Sequence, residues 1–194
     1  MRIVAGTHKG RNLLSPPKGA GTRPMTGGAK ESLFQILAER VHDAVIADLY
    51  CGTGTLGLEA LSRGAARVAF AERDPAVVAR LERNIAALGA EDRCCVWRGD
   101  VMRRLAAWLD DLAADVDVSF VDPPYAAVRR WHWRRAEQRI FAPLAAHLPA
   151  DGVVVLRLPD DVPAPQTLGG LVVERLKRYG DMRVALLGVG KEVR

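Results

Sequence analysis

A doubly wound, Rossmann-like α/β sheet, mostly parallel, is predicted for this chain by three observations. Apolar runs rich in Val, Ile and Leu alternate with segments of helical spacing from about residue 45 to residue 158. The first run passes straight into a glycine-rich turn, Asp48-Leu-Tyr-Cys-Gly-Thr-Gly-Thr-Leu-Gly57, which opens a helix. Acidic residues then stand at or just past four successive strand ends, at Asp48, Glu72, Asp100 and Asp122. Sheets of this kind bind ligands beyond the carboxyl ends of their strands, so the acids also mark where a site should lie.

In chain order, Arg2 to Ala5 is strand-like, Gly6 to Lys9 reads as a turn, and Pro16-Pro17 breaks any helix. Ala29 to Arg40 is predicted helical, with Leu33, Phe34, Ile36 and Leu37 on its apolar side and Thr26 as its cap. Val45 to Tyr50 has the character of a buried parallel strand, followed by a helix over Leu56 to Arg63 and a second strand over Arg67 to Arg73. Pro75 starts a helix that Gly89 ends, and Cys94 to Trp97 is the third strand. A helix over 102–112, a strand over Val116 to Val121, a helix over Arg134 to His147 and a strand over Gly152 to Leu158 continue the alternation. Pro159 to Gly170 reads as a loop. Leu171 to Lys177 and Arg183 to Leu187 leave no room for a helix between them, which predicts an antiparallel hairpin closing the sheet.

The 194 residues, 49% of them hydrophobic, suit one core and leave little room for a separate recognition domain. The expected organisation is a basic extension with its covering helix over residues 1–40, followed by the body over residues 41–194. Three cysteines with no C-x-x-C pair argue against a disulfide framework and a thiolate zinc site, and the four histidines lack ligand spacing, so no metal is expected. There is no secretory apolar region, and no apolar run reaches the roughly 18 residues of a membrane span. A soluble, cytoplasmic monomer is expected.

Charge is unevenly spread. Residues 1–40 hold seven Lys/Arg against Glu31 and Glu39, whereas the rest of the chain balances at 21 basic and 21 acidic side chains. A basic segment before a neutral body suggests a polyanionic partner, with Lys9, Arg11 and Arg23, beside Arg2 and Lys18, as candidate phosphate contacts.

The turn Gly52-x-Gly54-x-x-Gly57 lets the backbone approach a ligand while the free N–H groups of the new helix face the same space. With Glu72 about 20 residues on, it also satisfies the dinucleotide fingerprint, so the turn alone does not choose its ligand. A second motif is more specific. The fourth strand runs into Asp122-Pro123-Pro124-Tyr125, where the prolines restrict the backbone and hold the Asp122 carboxylate and the Pro123 carbonyl as paired acceptors beside the Tyr125 ring. Such a pair can orient an exocyclic amino group, which offers two N–H donors on a flat base. Arg129-Arg-Trp-His-Trp-Arg-Arg135 follows immediately, making Arg129 and Arg130 candidate substrate contacts; Trp131 and Trp133 either stack on bases or form the apolar side of a helix start.

Asp48 to Gly57, Glu72, Asp100 and Asp122 to Tyr125 together resemble class I S-adenosylmethionine-dependent methyltransferases that act on exocyclic amines. Arg2-Ile-Val-Ala-Gly6, Lys9-Gly-Arg11, Thr22-Arg-Pro24, Lys30-Glu31 and Leu33-Phe34 narrow the resemblance to the 16S rRNA guanine-N2 methyltransferase family, RsmD-like. Leu58 to Gly64 and the region of Lys177 to Gly180 are similar to it as well, so the likeness covers nearly the whole chain. It implies S-adenosylmethionine held by Asp48, Tyr50, Gly52, Gly54, Glu72 and Asp100, with its methionine part over the glycine turn, Glu72 on the ribose hydroxyls and Asp100 or its neighbours near the adenine amine. Asp122, Pro123 and Tyr125 would carry the transfer to guanine N2. The implied partner is 16S rRNA in an assembled or assembling small subunit. Gly27-Gly28 departs from the family's acidic and basic pair, and no contact is carried over there.

Three rival readings share parts of this pattern. A DNA adenine-N6 or cytosine-N4 methyltransferase uses both motifs but usually adds a recognition domain. A nicotinamide-dependent dehydrogenase shares the glycines and has no use for Asp-Pro-Pro-Tyr. A non-catalytic RNA-binding assembly factor explains the basic segment and not the acids.

Overall fold

The alternation of apolar and helical segments folds into one sheet. Its parallel part is β1 (Val45–Leu49), β2 (Arg67–Glu72), β3 (Cys94–Arg98), β4 (Val118–Val121) and β5 (Val153–Pro159). The antiparallel part is β6 (Thr167–Leu168), β7 (Leu171–Tyr179) and β8 (Met182–Val189). The structure, a computed structural model, describes residues 1–17 and 25–190, and among these the strand order is β3-β2-β1-β4-β5-β8-β7-β6. The order reverses at β1, whose neighbours β2 and β4 lead away on opposite sides, so the crevice for a ligand opens at the end of β1.

Side chains alternate across the sheet because successive strand residues point to opposite faces. Val153 and Val155 of β5 enter one apolar cluster with Ile46, Phe70 and Phe120; Val154 and Leu156 enter the other with Ala47, Leu49 and Val121. The first cluster is covered by α1 (Gly27–Ile36), α2 (Ala38–Val41), α3 (Thr55–Ser62) and α4 (Pro75–Ala87); the second by α5 (Val101–Leu112) and the helical stretch 133–146. All seven residues of β5 are buried, as a strand covered on both faces requires.

Several boundaries differ from the sequence expectation. The first helix is capped by Thr26, as expected, but ends at Ile36, and a separate turn of helix, α2, follows. Residues 116 and 117 precede β4 instead of starting it: Val116 donates to the His147 carbonyl, and the Asp117 side chain accepts from Val45 N at 2.8 Å. The helix expected over Arg134 to His147 is α7 (Trp133–Ala136) and α8 (Ala142–Ala146) joined by a π-helical turn, Glu137–Phe141. The loop after β5 contains the short strand β6. The closing hairpin forms as expected, with β8 inserted between β5 and β7.

The N-terminal segment is stitched to the helices. Arg2 bridges Asn12, and Ile3 and Leu13 are buried in the first apolar cluster. Glu59 on α3 is fully buried and accepts from Val4 N at 2.8 Å, Ala5 N at 3.0 Å, Lys30 Nζ at 2.7 Å and Arg63 Nε at 2.9 Å. Burial acts to raise the Glu59 pKa, but Lys30, the Val4 amide and Arg63 outweigh it and hold the carboxyl below its ordinary value. Asn84 on α4 accepts from Leu14 N at 2.7 Å and donates to the Thr53 carbonyl at 2.9 Å, tying the segment to the glycine turn.

Candidate active site

The turn after β1 needs backbone conformations that few residues adopt. Tyr50, Gly52 and Gly54 have φ of 60°, 56° and 84°. Gly54 and Gly57 press on the core: a Cβ on Gly54 would come within 2.5 Å of Leu81 Cδ1, and one on Gly57 within 2.4 Å of the Phe70 ring. Gly52 faces open space, where a Cβ would meet nothing within 4 Å. Asp48 fixes the start of α3 by accepting from Gly57 N at 2.8 Å. Its other oxygen is buried without a hydrogen-bond partner among the described residues. Burial, together with Asp122 and Glu72 nearby, pushes the Asp48 carboxyl up to about 8 despite the Gly57 bond, so the group is largely protonated at neutral pH.

At the end of β2, Glu72 Oε2 accepts from Gly52 N at 3.2 Å while Oε1 accepts from Arg73 N at 2.8 Å and Asp74 N at 3.0 Å. Three amides thus orient a carboxylate that can accept about four hydrogen bonds. Asp100 precedes α5 without capping it and lines the same cavity, as do Tyr50 and Gly52. Burial raises the Tyr50 hydroxyl pKa, with Asp100 adding to the shift and Arg73 opposing it.

Asp122 stands across this cavity, just after β4. The next residues turn into a short helix, α6 (Tyr125–Val128), because Pro124 occupies its cap with φ of −54° and no N–H to leave unsatisfied. Asp122 is ion-paired with Arg157 of β5, whose side chain is 7% exposed. Burial lifts the Asp122 carboxyl to about 6, and the Arg157 charge and hydrogen bond limit the rise. The guanidinium carbons of Arg157 and Arg129 lie 5.4 and 5.9 Å from the centre of the Tyr125 ring.

The resulting cavity has a volume of about 720 Å³, within the usual range for small-molecule sites. Seven carboxylate side chains and three arginines line it. That balance suits a ligand carrying a positive sulfonium and opposes the pyrophosphate of a dinucleotide. With the open backbone at Gly52 and the oriented Glu72, the residues present fit S-adenosylmethionine.

Of the residues singled out in the sequence, Tyr50, Gly52, Glu72, Asp100, Asp122, Tyr125 and Arg129 line this one space. Asp48 and Gly54 stand behind its wall, where they shape the turn, and Pro123 is buried between Asp122 and Pro124, which line it. Arg130 is exposed, with Nε donating to the Ala126 carbonyl. Arg129 is paired with Asp161. Lys9 and Arg11 belong to the hairpin tip that bonds Ser62, at the opposite end of α3 from the glycine turn. Arg23, like Lys18, lies outside the described residues. Arg157 was missed, although an arginine within the apolar run Val153 to Leu158 was a visible signal. No helix of the described residues is long and apolar enough to cross a membrane.

Comparison with known proteins gives the same architecture. The family described as conserved hypothetical protein 95 matches residues 1–188. YlbH of Bacillus subtilis is 33% identical over 195 residues, covering 96% of this chain and 97% of its own. Ribosomal RNA small subunit methyltransferase D of Haemophilus influenzae is 35% identical over 145 residues, 72% of this chain and 68% of its own. The solved structure of yhhF from Escherichia coli has a TM-score of 0.78 at 29% identity, covering 97% of both chains. The chain belongs to the conserved hypothetical protein 95 family and is a class I S-adenosylmethionine-dependent methyltransferase, related by sequence and fold to ribosomal RNA small subunit methyltransferase D.

Proposed function

We propose that the protein transfers a methyl group to the exocyclic N2 of a guanine in 16S rRNA, within an assembled or assembling small ribosomal subunit. The observation that carries this reading is Asp122 at the head of Asp-Pro-Pro-Tyr, lining the same cavity as Gly52, Glu72 and Asp100. The similarity to ribosomal RNA small subunit methyltransferase D of Haemophilus influenzae supports the RNA substrate.

S-adenosylmethionine, when bound, supplies an electrophilic methyl on a sulfonium. Gly52 would offer its backbone to the bound cofactor, Glu72 would accept from the ribose hydroxyls, and Asp100 or its neighbours would accept from the adenine amine. Guanine N2 is a poor nucleophile because its lone pair is delocalised into the ring. Acceptance of its N–H bonds by Asp122 and the Pro123 carbonyl localises that lone pair and stabilises the positive charge that grows on nitrogen. Tyr125 fixes the plane of the base. A carboxyl held at about 6 is a competent acceptor for the proton that the methylated amine then sheds. The target base must leave its stack to reach the cavity, and the exposed Arg130 beside the site is positioned to meet phosphate.

The test is transfer of labelled methyl to naked 16S rRNA, to small subunits and to DNA, followed by nucleoside digestion. N2-methylguanosine from the rRNA or subunit arm is expected. Label in N6-methyladenine or N4-methylcytosine of DNA, or in none of the three, overturns the reading. Asp122→Ala is expected to lower turnover by about 10² or more while S-adenosylmethionine binding is retained.

A further inference from the structure

Arg157 is the charged residue of an otherwise apolar strand. Six of the seven residues of β5 are aliphatic or proline, and Arg157 is buried with them. Burying a guanidinium is costly unless it is paired, and Asp122 is a partner it finds. The same group lies 5.4 Å from the Tyr125 ring centre. One side chain therefore touches both the first and the last residue of Asp-Pro-Pro-Tyr.

We infer that Arg157 is a positioning residue for methyl transfer, holding Asp122 as an oriented anion and bracing Tyr125, without itself touching the reacting atoms. The inference rests on the reading of Asp122 as the acceptor of the target amine. A protonated Asp122 would present one oxygen as an O–H donor toward an amine that itself offers donors, so the reaction needs the ionised form. Burial favours the neutral form and Arg157 opposes it. The other groups around Asp122 do not replace that charge. Asp48 and Cys51 behind the glycine turn, Glu72 at the end of β2, and Asp160, Asp161 and Asp181 along the far rim are neutral or anionic. Of the other cations, Arg129 at the end of α6 is held by Asp161, Arg130 beside it is exposed with Nε on the Ala126 carbonyl, and Arg73 after β2 faces Asp100 at 4.0 Å. An arginine serves better than a lysine here because a planar guanidinium can pair a carboxylate and lie against an aromatic ring at once.

Three proteins, the wild type, Arg157→Gln and Arg157→Lys, would be compared with carboxyl-¹³C-labelled aspartate, the Asp122 signal being assigned by its loss in Asp122→Asn. Thermal melts show which variants remain folded, and the lysine variant keeps the charge if the glutamine variant does not fold. The Asp122 titration midpoint is expected to rise by about one pH unit or more in Arg157→Gln, and by less in Arg157→Lys. The acid limb of the methyl-transfer pH profile should move with it, while S-adenosylmethionine affinity by calorimetry stays within about twofold. A midpoint unchanged in both variants overturns the inference, as does a moved midpoint with an unmoved pH profile. A midpoint that moves in the variants, together with a wild type that methylates none of the tested nucleic acids, sinks the function proposed above and leaves the Arg157 to Asp122 coupling standing.

Discussion

Glu59 and Lys30 form an ion pair at 2.7 Å in which the two side chains are 0% and 6% exposed. The pair joins α1 to α3, and through the Val4 and Ala5 amides it also holds the N-terminal segment.

Glu59→Ala is expected to cost about 3–5 kcal/mol, because it strands a buried ammonium and two amides at once. Chemical denaturation measures the loss. Limited proteolysis should cut the variant first within residues 1–17; a loss below about 1 kcal/mol would mean that Lys30 finds water or another acceptor.

Asp48→Asn should flatten the dependence of stability on pH. Between its ordinary value of 3.8 and about 8, the folded Asp48 keeps a proton that the unfolded chain has released. Stability therefore falls as pH rises through that window, by the linkage of proton binding to folding. The asparagine variant, still able to accept from Gly57 N, loses this slope, and the smaller one due to Asp122 remains. Denaturant midpoints of the cofactor-free protein from pH 5 to 8 make the comparison; parallel curves for the two proteins would show that Asp48 is ionised throughout.

Glu72→Ala should weaken S-adenosylmethionine binding by about 1.5–3 kcal/mol through the loss of charge-assisted hydrogen bonds. Glu72→Gln keeps an acceptor for Gly52 and should lose an amount at or below the lower end of that range. Calorimetric affinities equal to wild type in both variants would remove Glu72 from the cofactor site.

Substituting Lys9 and Arg11 by glutamine should flatten the plot of log RNA affinity against log salt by about one to two units if the hairpin tip meets phosphate, with about 0.7–0.9 lost per contact. The same measurement on Arg130→Gln and Arg134→Gln reports on the segment next to the cavity. Lys9 and Arg11 lie at the far end of α3 from the glycine turn, so a contact there requires RNA that extends past that helix. An unchanged slope in the Lys9 and Arg11 variant assigns the N-terminal charge to solvated surface.

The layered sheet was legible because each strand is short, apolar and bounded by a helix signal, and because β7 and β8 sit too close in sequence for a crossover. The glycine turn was legible from Gly52 and Gly54, whose backbone freedom the structure uses. What sequence spacing could not supply was depth. Asp48 and Glu72 both follow the strand-end pattern, yet Asp48 points behind the turn and Glu72 into the cavity. Arg157 escaped notice because its partner is 35 positions earlier in the chain, just past the end of the neighbouring strand. Lys30 likewise counted toward a basic segment, although its ammonium is spent inside the fold on Glu59.

The insertion of β8 between β5 and β7 also sets an order of events during synthesis. Until residues 182–189 leave the ribosome, β5 has an unpaired edge along a strand whose seven residues are all destined for the interior. Val184 and Leu186 share a cluster with Ile3 and Leu13, so the earliest and nearly the latest described residues close one core. Contacts so distant in sequence slow folding, and an open apolar edge invites pairing with other nascent chains. The growing polypeptide is thus at its most vulnerable just before β8 emerges, and a chain stalled near residue 180 should be the form that chaperones hold longest.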